Sequence, residues 1–145
     1  MRFWDASALI PLCVREAASP AAEDLLRKDP GMVVWWGSRV ECWSALCRRR
    51  REGTLGPDGE HAARMVLQAL CGAWVEVKPT DAVRTEADRI LRHHALRAAD
   101  ALQLAAARLW AVRLSSGRAA LVCYDARLRQ AAGAEGLEVL PAVMP

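Results

Sequence analysis

No stretch of the 145 residues comes near the roughly 18 to 20 apolar residues that a membrane-spanning helix needs. The opening Met1-Arg2-Phe3-Trp4-Asp5 meets an acid after two apolar residues. It lacks the basic region, apolar core and small-residue cleavage site of a signal peptide, so a cytoplasmic protein is expected. No Cys-x-x-Cys pair occurs among the five cysteines (Cys13, Cys42, Cys47, Cys71, Cys123). Their odd number argues against a disulfide framework, and they read as small buried apolar residues. Lysine is scarce: beside Lys28 and Lys78 the 20 cations are arginines, whose planar fork suits phosphate but also follows genomic composition. A net charge of +3 does not by itself predict nucleic-acid binding. There is no G-x-S-x-G elbow, Walker phosphate loop or G-x-G-x-x-G fingerprint, and no internal repeat, low-complexity tract or linker.

What remains is the composition of one globular domain over residues 1–145, 53% hydrophobic and 26% charged. A chain of this size can bury roughly 70% of its unfolded surface. Short apolar runs, expected to be strands, occupy Arg2 to Trp4, Met32 to Trp36, Ala73 to Val77, Ala119 to Tyr124 and Leu137 to Leu140. Between them lie helical patterns. One follows Asp5 at Ala8 to Leu12; another, Ala21 to Arg27, is capped by Ser19-Pro20 and stopped by Asp29-Pro30-Gly31. Ser38 opens a third, with Val40, Trp43, Leu46 and Cys47 on one stripe and Arg48 to Arg51 at its end. After a loop over Gly53 to Gly59 come helices at Glu60 to Leu70 and, capped by Thr80, at Asp81 to His94. The last two run from Leu96 to Leu114, ending near Ser115-Ser116-Gly117, and from Asp125 to Ala132. Strands apolar on both faces alternating with helices predict a three-layer α/β/α sandwich around a parallel central sheet.

In open α/β sheets ligands sit beyond the carboxyl ends of the strands. Asp5 and Asp125 follow strands directly, Glu41 falls in the first turn of a helix after the second strand, and Asp100 opens a helix leading to the strand before Asp125. Each has a structural reading as well. Asp5 and Asp125 can cap helices, Ser38-Arg39-Val40-Glu41 fits a capping box, and Arg97 can pair with Asp100 at i, i+3. Asp100 lies in an apolar helix expected to be largely buried, where an unpaired carboxylate is costly. Four converging carboxylates would repel one another unless a cation intervened, and all-oxygen ligands favour Mg²⁺ or Mn²⁺ over zinc. The histidines His61, His93 and His94 read as solvent-exposed. Six tryptophans are generous for this length. Trp35 and Trp36 point to opposite faces of a strand, Trp43 and Trp110 lie on helices, and any left exposed would suit an interface.

Phe3-Trp4-Asp5-Ala6-Ser7-Ala8-Leu9, Glu41 in Ser38-Arg39-Val40-Glu41, Arg97-Ala98-Ala99-Asp100-Ala101-Leu102-Gln103-Leu104-Ala105 and Tyr124-Asp125-Ala126-Arg127-Leu128 together resemble the PIN-domain family, specifically its VapC-type toxin ribonucleases. The resemblance spans nearly the whole chain and implies that Asp5, Glu41, Asp100 and Asp125 form a catalytic Mg²⁺ (or Mn²⁺) site, with Ser7 as its supporting hydroxyl. It departs from the family at Cys123, where Thr or Ser is common two residues before the last acid. The activity implied is metal-dependent hydrolysis of RNA phosphodiester bonds, the ion activating water for in-line attack and offsetting charge on the phosphoryl oxygens. Arg97 and part of the Arg48 to Arg51 run are expected to approach RNA phosphates. The resemblance further implies a type II toxin–antitoxin pair: a cytoplasmic homodimer held by a cognate antitoxin segment across the acidic cleft. The alternatives are a housekeeping PIN nuclease of RNA processing, which would share every one of these residues, and a catalytically silent interaction module whose acids only cap helices.

Overall fold

The computed structural model describes residues 1–115 and 117–145. The apolar runs form β1 (Arg2–Trp4), β2 (Met32–Trp35), β3 (Val75–Val77), β4 (Ala120–Val122) and β5 (Glu138–Leu140). All neighbours pair in parallel, in the order β3-β2-β1-β4-β5. The helices are α1 (Ala6–Cys13), α2 (Ser19–Lys28), α3 (Ser38–Arg51), α4 (Pro57–Ala73), α5 (Asp81–His93), α6 (Ala98–Ala111) and α7 (Ala126–Ala134). Side chains alternate across each strand, which sorts the core into two layers. Phe3, Val33, Trp35 and Leu121 pack against α5, α6 and α7. Trp4, Met32, Val34 and Val122 pack against α1 to α4. Phe3 and Trp4 are completely buried on opposite sides of the same strand, each contributing about 2–3 kcal/mol of transfer free energy. The result is the expected α/β/α sandwich. No helix among the described residues is long and apolar enough to cross a membrane.

The strand order places the crevice. From β1 the chain moves one way to β2 and β3, then returns to the other side of β1 for β4 and β5. Helices therefore leave the carboxyl ends of β1 and β4 toward opposite faces, and the gap that opens there is where sheets of this kind bind ligands.

Several expectations shift once tertiary contacts act. Trp36 lies beyond the end of β2 and is half exposed, β3 starts at Val75 and not Ala73, and α4 starts at Pro57, inside the expected loop. Pro fits the first helical turn because its missing N–H is not needed there. α6 ends at Ala111, short of the expected Ser115-Ser116-Gly117, of which Ser116 is outside the described residues. Ser19 does not cap α2. It lies within the helix, fully buried, its Oγ donating to Pro11 O (2.7 Å) and accepting from Glu16 N (2.9 Å). On α3 the buried stripe is Ser38, Cys42 and Leu46, at i, i+4 and i+8, which turns Val40 and Cys47 outward and leaves Trp43 half-buried. The cysteines are thus not uniformly buried: Cys42 and Cys123 are, Cys13 and Cys71 are half-covered, and Cys47 is exposed.

The layer of α5, α6 and α7 is joined by charge. Arg108 on α6 pairs with Glu86 on α5 and with Glu135 just after α7, while Arg89 also reaches both acids. His94, expected to be exposed, is half-buried, its Nε2 2.7 Å from Glu135 Oε1. Hydrogen bonding by Arg89, against the opposing effect of burial, holds the Glu135 carboxyl down at about 2, with His94 and Arg108 adding to the shift. A depressed carboxylate stabilises the fold above its unfolded value and loses that contribution as pH falls toward the folded one. Glu135→Gln should therefore cost roughly 2 kcal/mol at pH 7, a fall of about 5 °C in Tm. The gap from wild type should close between about pH 4.5 and pH 2 in thermal melts.

Candidate functional site

Asp5 is positioned by the sheet before its side chain does anything. Its N–H donates to Val122 O (3.0 Å), carrying the β1–β4 pairing one residue past the strand. Its carboxylate caps α1 as expected, Oδ2 accepting from Ser7 N (3.0 Å) and Ser7 Oγ (2.5 Å). Ser7 Oγ in turn accepts from Tyr124 N (2.9 Å), so this hydroxyl joins the ends of β1 and β4. Cys123, fully buried, donates its thiol to the same Asp5 oxygen at 3.6 Å and accepts from Asp125 N at 3.3 Å. It bridges the two acids with longer, weaker bonds than a hydroxyl makes. Asp125 caps α7 through Leu128 N (2.8 Å). Both capping readings are therefore correct, and both leave an oxygen over: Asp5 Oδ1 and Asp125 Oδ2 bond nothing among the described residues.

The capping box at Glu41 does not form. Gly37 is the cap and Ser38 turns into the core. There Ser38 Oγ donates to Gln103 Oε1 (3.3 Å), while Gln103 Nε2 donates to Ser38 Oγ and to Glu41 Oε1 (3.0 Å each). Gln103 is fully buried on α6 and escaped the sequence reading. The signal was a lone amide three residues after Asp100, hence on the same face of an otherwise apolar helix. Asp100 itself is half-buried at the solvent end of α6, not enclosed as expected, and no ion pair with Arg97 forms among the described residues.

Asp5, Glu41, Asp100 and Asp125 all line one cleft of about 890 Å³, together with Ser7, Arg48 and Arg97. Arg49, from the expected Arg48 to Arg51 run, lines it too, as do Glu16 and Arg127, neither of them foreseen. Burial raises the carboxyl of Asp5 against its bonds from Ser7 and Cys123, with a lesser push from Asp100. Burial and then the charge of Asp125 raise Asp100, against the opposing charges of Arg97 and Arg127. Glu41 is pushed up to about 7 by burial and then by the charge of Asp5, against the Gln103 bond. Glu16 differs, being neutralised by Arg49 at 2.7 Å. Arg50 pairs with Glu60, and Arg51 is not on the cleft. Arg48, Arg97 and Arg127 have neither an ion pair nor a side-chain hydrogen bond among the described residues, and neither do the four acids have a cationic partner.

This donor set fits a hard divalent cation. It offers carboxylate oxygens crowded enough to raise one another, while the nearby Cys123 thiol is held protonated by burial. Among the described residues no three acidic, cysteine or histidine side chains close into a ready ligand cluster. Mg²⁺ does not require one, because it keeps several waters and is commonly bound through one or two carboxylates.

A PIN domain family model matches residues 2–134. No curated protein matches the sequence. Among solved structures the chain is similar to a toxin–antitoxin complex from Klebsiella pneumoniae (17% identity, 100% of both chains, TM-score 0.67). It is also similar to Mycobacterium tuberculosis VapC20, a sarcin-ricin loop cleaving toxin (19%, 94% of this chain and 96% of that one, TM-score 0.69), and to FitAcB from Neisseria gonorrhoeae (12%, 96% of each, TM-score 0.65). At such identities the likeness is one of fold, and it agrees with the family match: the chain belongs to the PIN domain family.

Proposed function

We propose that residues 1–145 form a single PIN-like nuclease domain, a cytoplasmic Mg²⁺- or Mn²⁺-dependent endoribonuclease acting as the toxin of a type II toxin–antitoxin pair. The observation that carries this reading is the cleft itself. Four carboxylates and three guanidinium groups face one space with no ion pair between them among the described residues. Elsewhere in the molecule arginines take up carboxylates readily, as Arg49, Arg50, Arg89 and Arg108 do. Groups left unpaired in this way suit a ligand of two parts, a cation for the acids and a phosphate for the arginines. A phosphodiester with a divalent ion has both.

In this reading Asp5, Glu41, Asp100 and Asp125 hold the ion, which when bound supplies an activated water and charge neutralisation at the phosphoryl group. Ser7 fixes Asp5, and Gln103 fixes Glu41. Arg97 and Arg48 hold phosphates of the strand, with Arg127 beside them. No side-chain base is required. The likeness in fold to a toxin–antitoxin complex supports an antitoxin partner, whose own cation would satisfy the same acids. Apolar surface supports a homodimer: Trp36 and Val40, 50% and 67% exposed, lie near the start of α3, and Trp36 N is bonded to Val77 of β3, whose Val75 is also exposed.

Asp5→Asn keeps the cap, since Asn caps as well as Asp, and removes the charge. RNA cleavage should fall by at least about 100-fold, a loss typical when a main transition-state stabiliser is removed. Without metal the variant should be more stable than wild type by on the order of 1 kcal/mol at pH 8. Carboxyls raised in the fold destabilise it above their folded value, and stability returns as pH falls from about 7 toward the unfolded 4.5. Metal-free wild type should accordingly melt higher at pH 5 than at pH 8, and Glu41→Gln should flatten that difference. A variant that melts lower and still cuts would refute the assignment.

Replacing Arg48 and Arg97 together by Gln should weaken RNA binding at low salt and reduce the slope of log K against log salt by about 2; an unaltered slope would exclude phosphate contact. Light scattering should show a dimer that Trp36→Ser with Val40→Asp converts to monomer.

A further inference from the structure

On the far side of Arg127 from the acids lies a second hollow, of about 580 Å³, between the C-terminal end of α5 and α7. Arg127 lines both spaces. The other wall is shared in the same manner: the turn between α5 and α6 sets Arg97 on the cleft and its neighbour Leu96 on the hollow. A strand whose phosphate sits between Arg97 and Arg127 therefore has the hollow next in its path.

The two spaces differ in chemistry. The first is lined by acids, whereas no acid lines the second. Its floor is apolar, built from half-buried Leu96 and buried Ala131, and its rim carries the exposed side chains of His93 and Gln130. His94 also lines it, but its Nε2 is already engaged by Glu135 at 2.7 Å. A planar heteroaromatic group fits such a lining. Its faces can rest on Leu96 and Ala131 and stack on the His93 imidazole, while the Gln130 carboxamide offers both an acceptor and donors to its edge. The volume lies within the ~300–1,000 Å³ of small-ligand sites.

We propose that this hollow is a base-binding subsite, receiving the nucleotide adjacent to the scissile phosphate of a single-stranded RNA. The proposal rests on the ribonuclease reading above and adds to it a position of sequence or base recognition. His93 and Gln130 are the discriminating side chains, and Arg127 is the divider between chemistry and recognition.

The test uses RNA oligonucleotides with one cleavage site, carrying an abasic residue on one side or the other of the scissile phosphate, with wild type, His93→Ala and Gln130→Ala in Mn²⁺. Removing the base at one of the two positions should lower wild-type kcat/KM about tenfold, within the range a stacked base contributes. Both variants should start lower on intact RNA and lose no more than about twofold on the abasic one. Gln130→Ala should melt as wild type does, because its exposed side chain bonds nothing among the described residues. His93→Ala gives up the 2.8 Å bond from Nδ1 to Arg89 O and should melt slightly lower, so the comparison is made well below both transitions. A tenfold abasic loss retained in both variants, or no abasic loss in wild type at either position, overturns the subsite and leaves the nuclease standing. A wild-type protein that cuts no RNA with Mg²⁺ or Mn²⁺ overturns both.

Discussion

Strand β1 occupies the middle of the sheet, bonded on both sides and packed on both faces through Phe3 and Trp4, and the residue after it inherits that rigidity. Asp5 is 4% exposed, its backbone still in the β1–β4 ladder and one carboxylate oxygen shared by Ser7 and Cys123. A buried carboxylate held this firmly has one direction left in which to interact, the free oxygen toward the cleft. The other acids are arranged around that fixed point: Asp125 through the Cys123 bridge, and Glu41 and Asp100 through two helices from opposite faces of the sheet.

α6 connects the two faces. Asp100 and Gln103 stand one turn apart on it, and Gln103 reaches through to Ser38 and Glu41 on α3. The Arg89, Arg108, Glu86 and Glu135 cluster clamps α6 to its neighbours and, through His94, holds the turn from which Arg97 projects. Charges that pair at one end of the α5–α6–α7 layer thus set the position of charges that do not pair at the other.

The sheet was legible in the sequence because its strands are buried on both faces and read as unbroken apolar runs. Asp5 and Asp125 were legible because they end two of those runs. What escaped depended on side-chain partners distant in sequence. Ser38 and Glu41 have the spacing of a local capping box, and nothing near them reveals that an amide 65 residues away from Ser38 will take both. Likewise the four consecutive arginines at the end of α3 look equivalent, and their separate fates were fixed by Glu16 and Glu60 on other elements. Helix boundaries moved for a similar reason, since Ser19 found a carbonyl on α1 and not a helix end to cap.

The count of unpaired groups in the cleft has an electrical meaning of its own. With Glu16 cancelled by Arg49, four negative and three positive side chains remain, a formal balance of minus one. With all four acids ionised, which for Glu41 requires a pH above about 7, a polyanion approaching the bare groove meets no net attraction despite the arginines around it. One divalent ion held among the carboxylates, as proposed, would reverse that balance to plus one, and the same surface would then favour a phosphate chain. On the proposed reading, divalent-ion concentration would then govern access to the groove as well as chemistry within it.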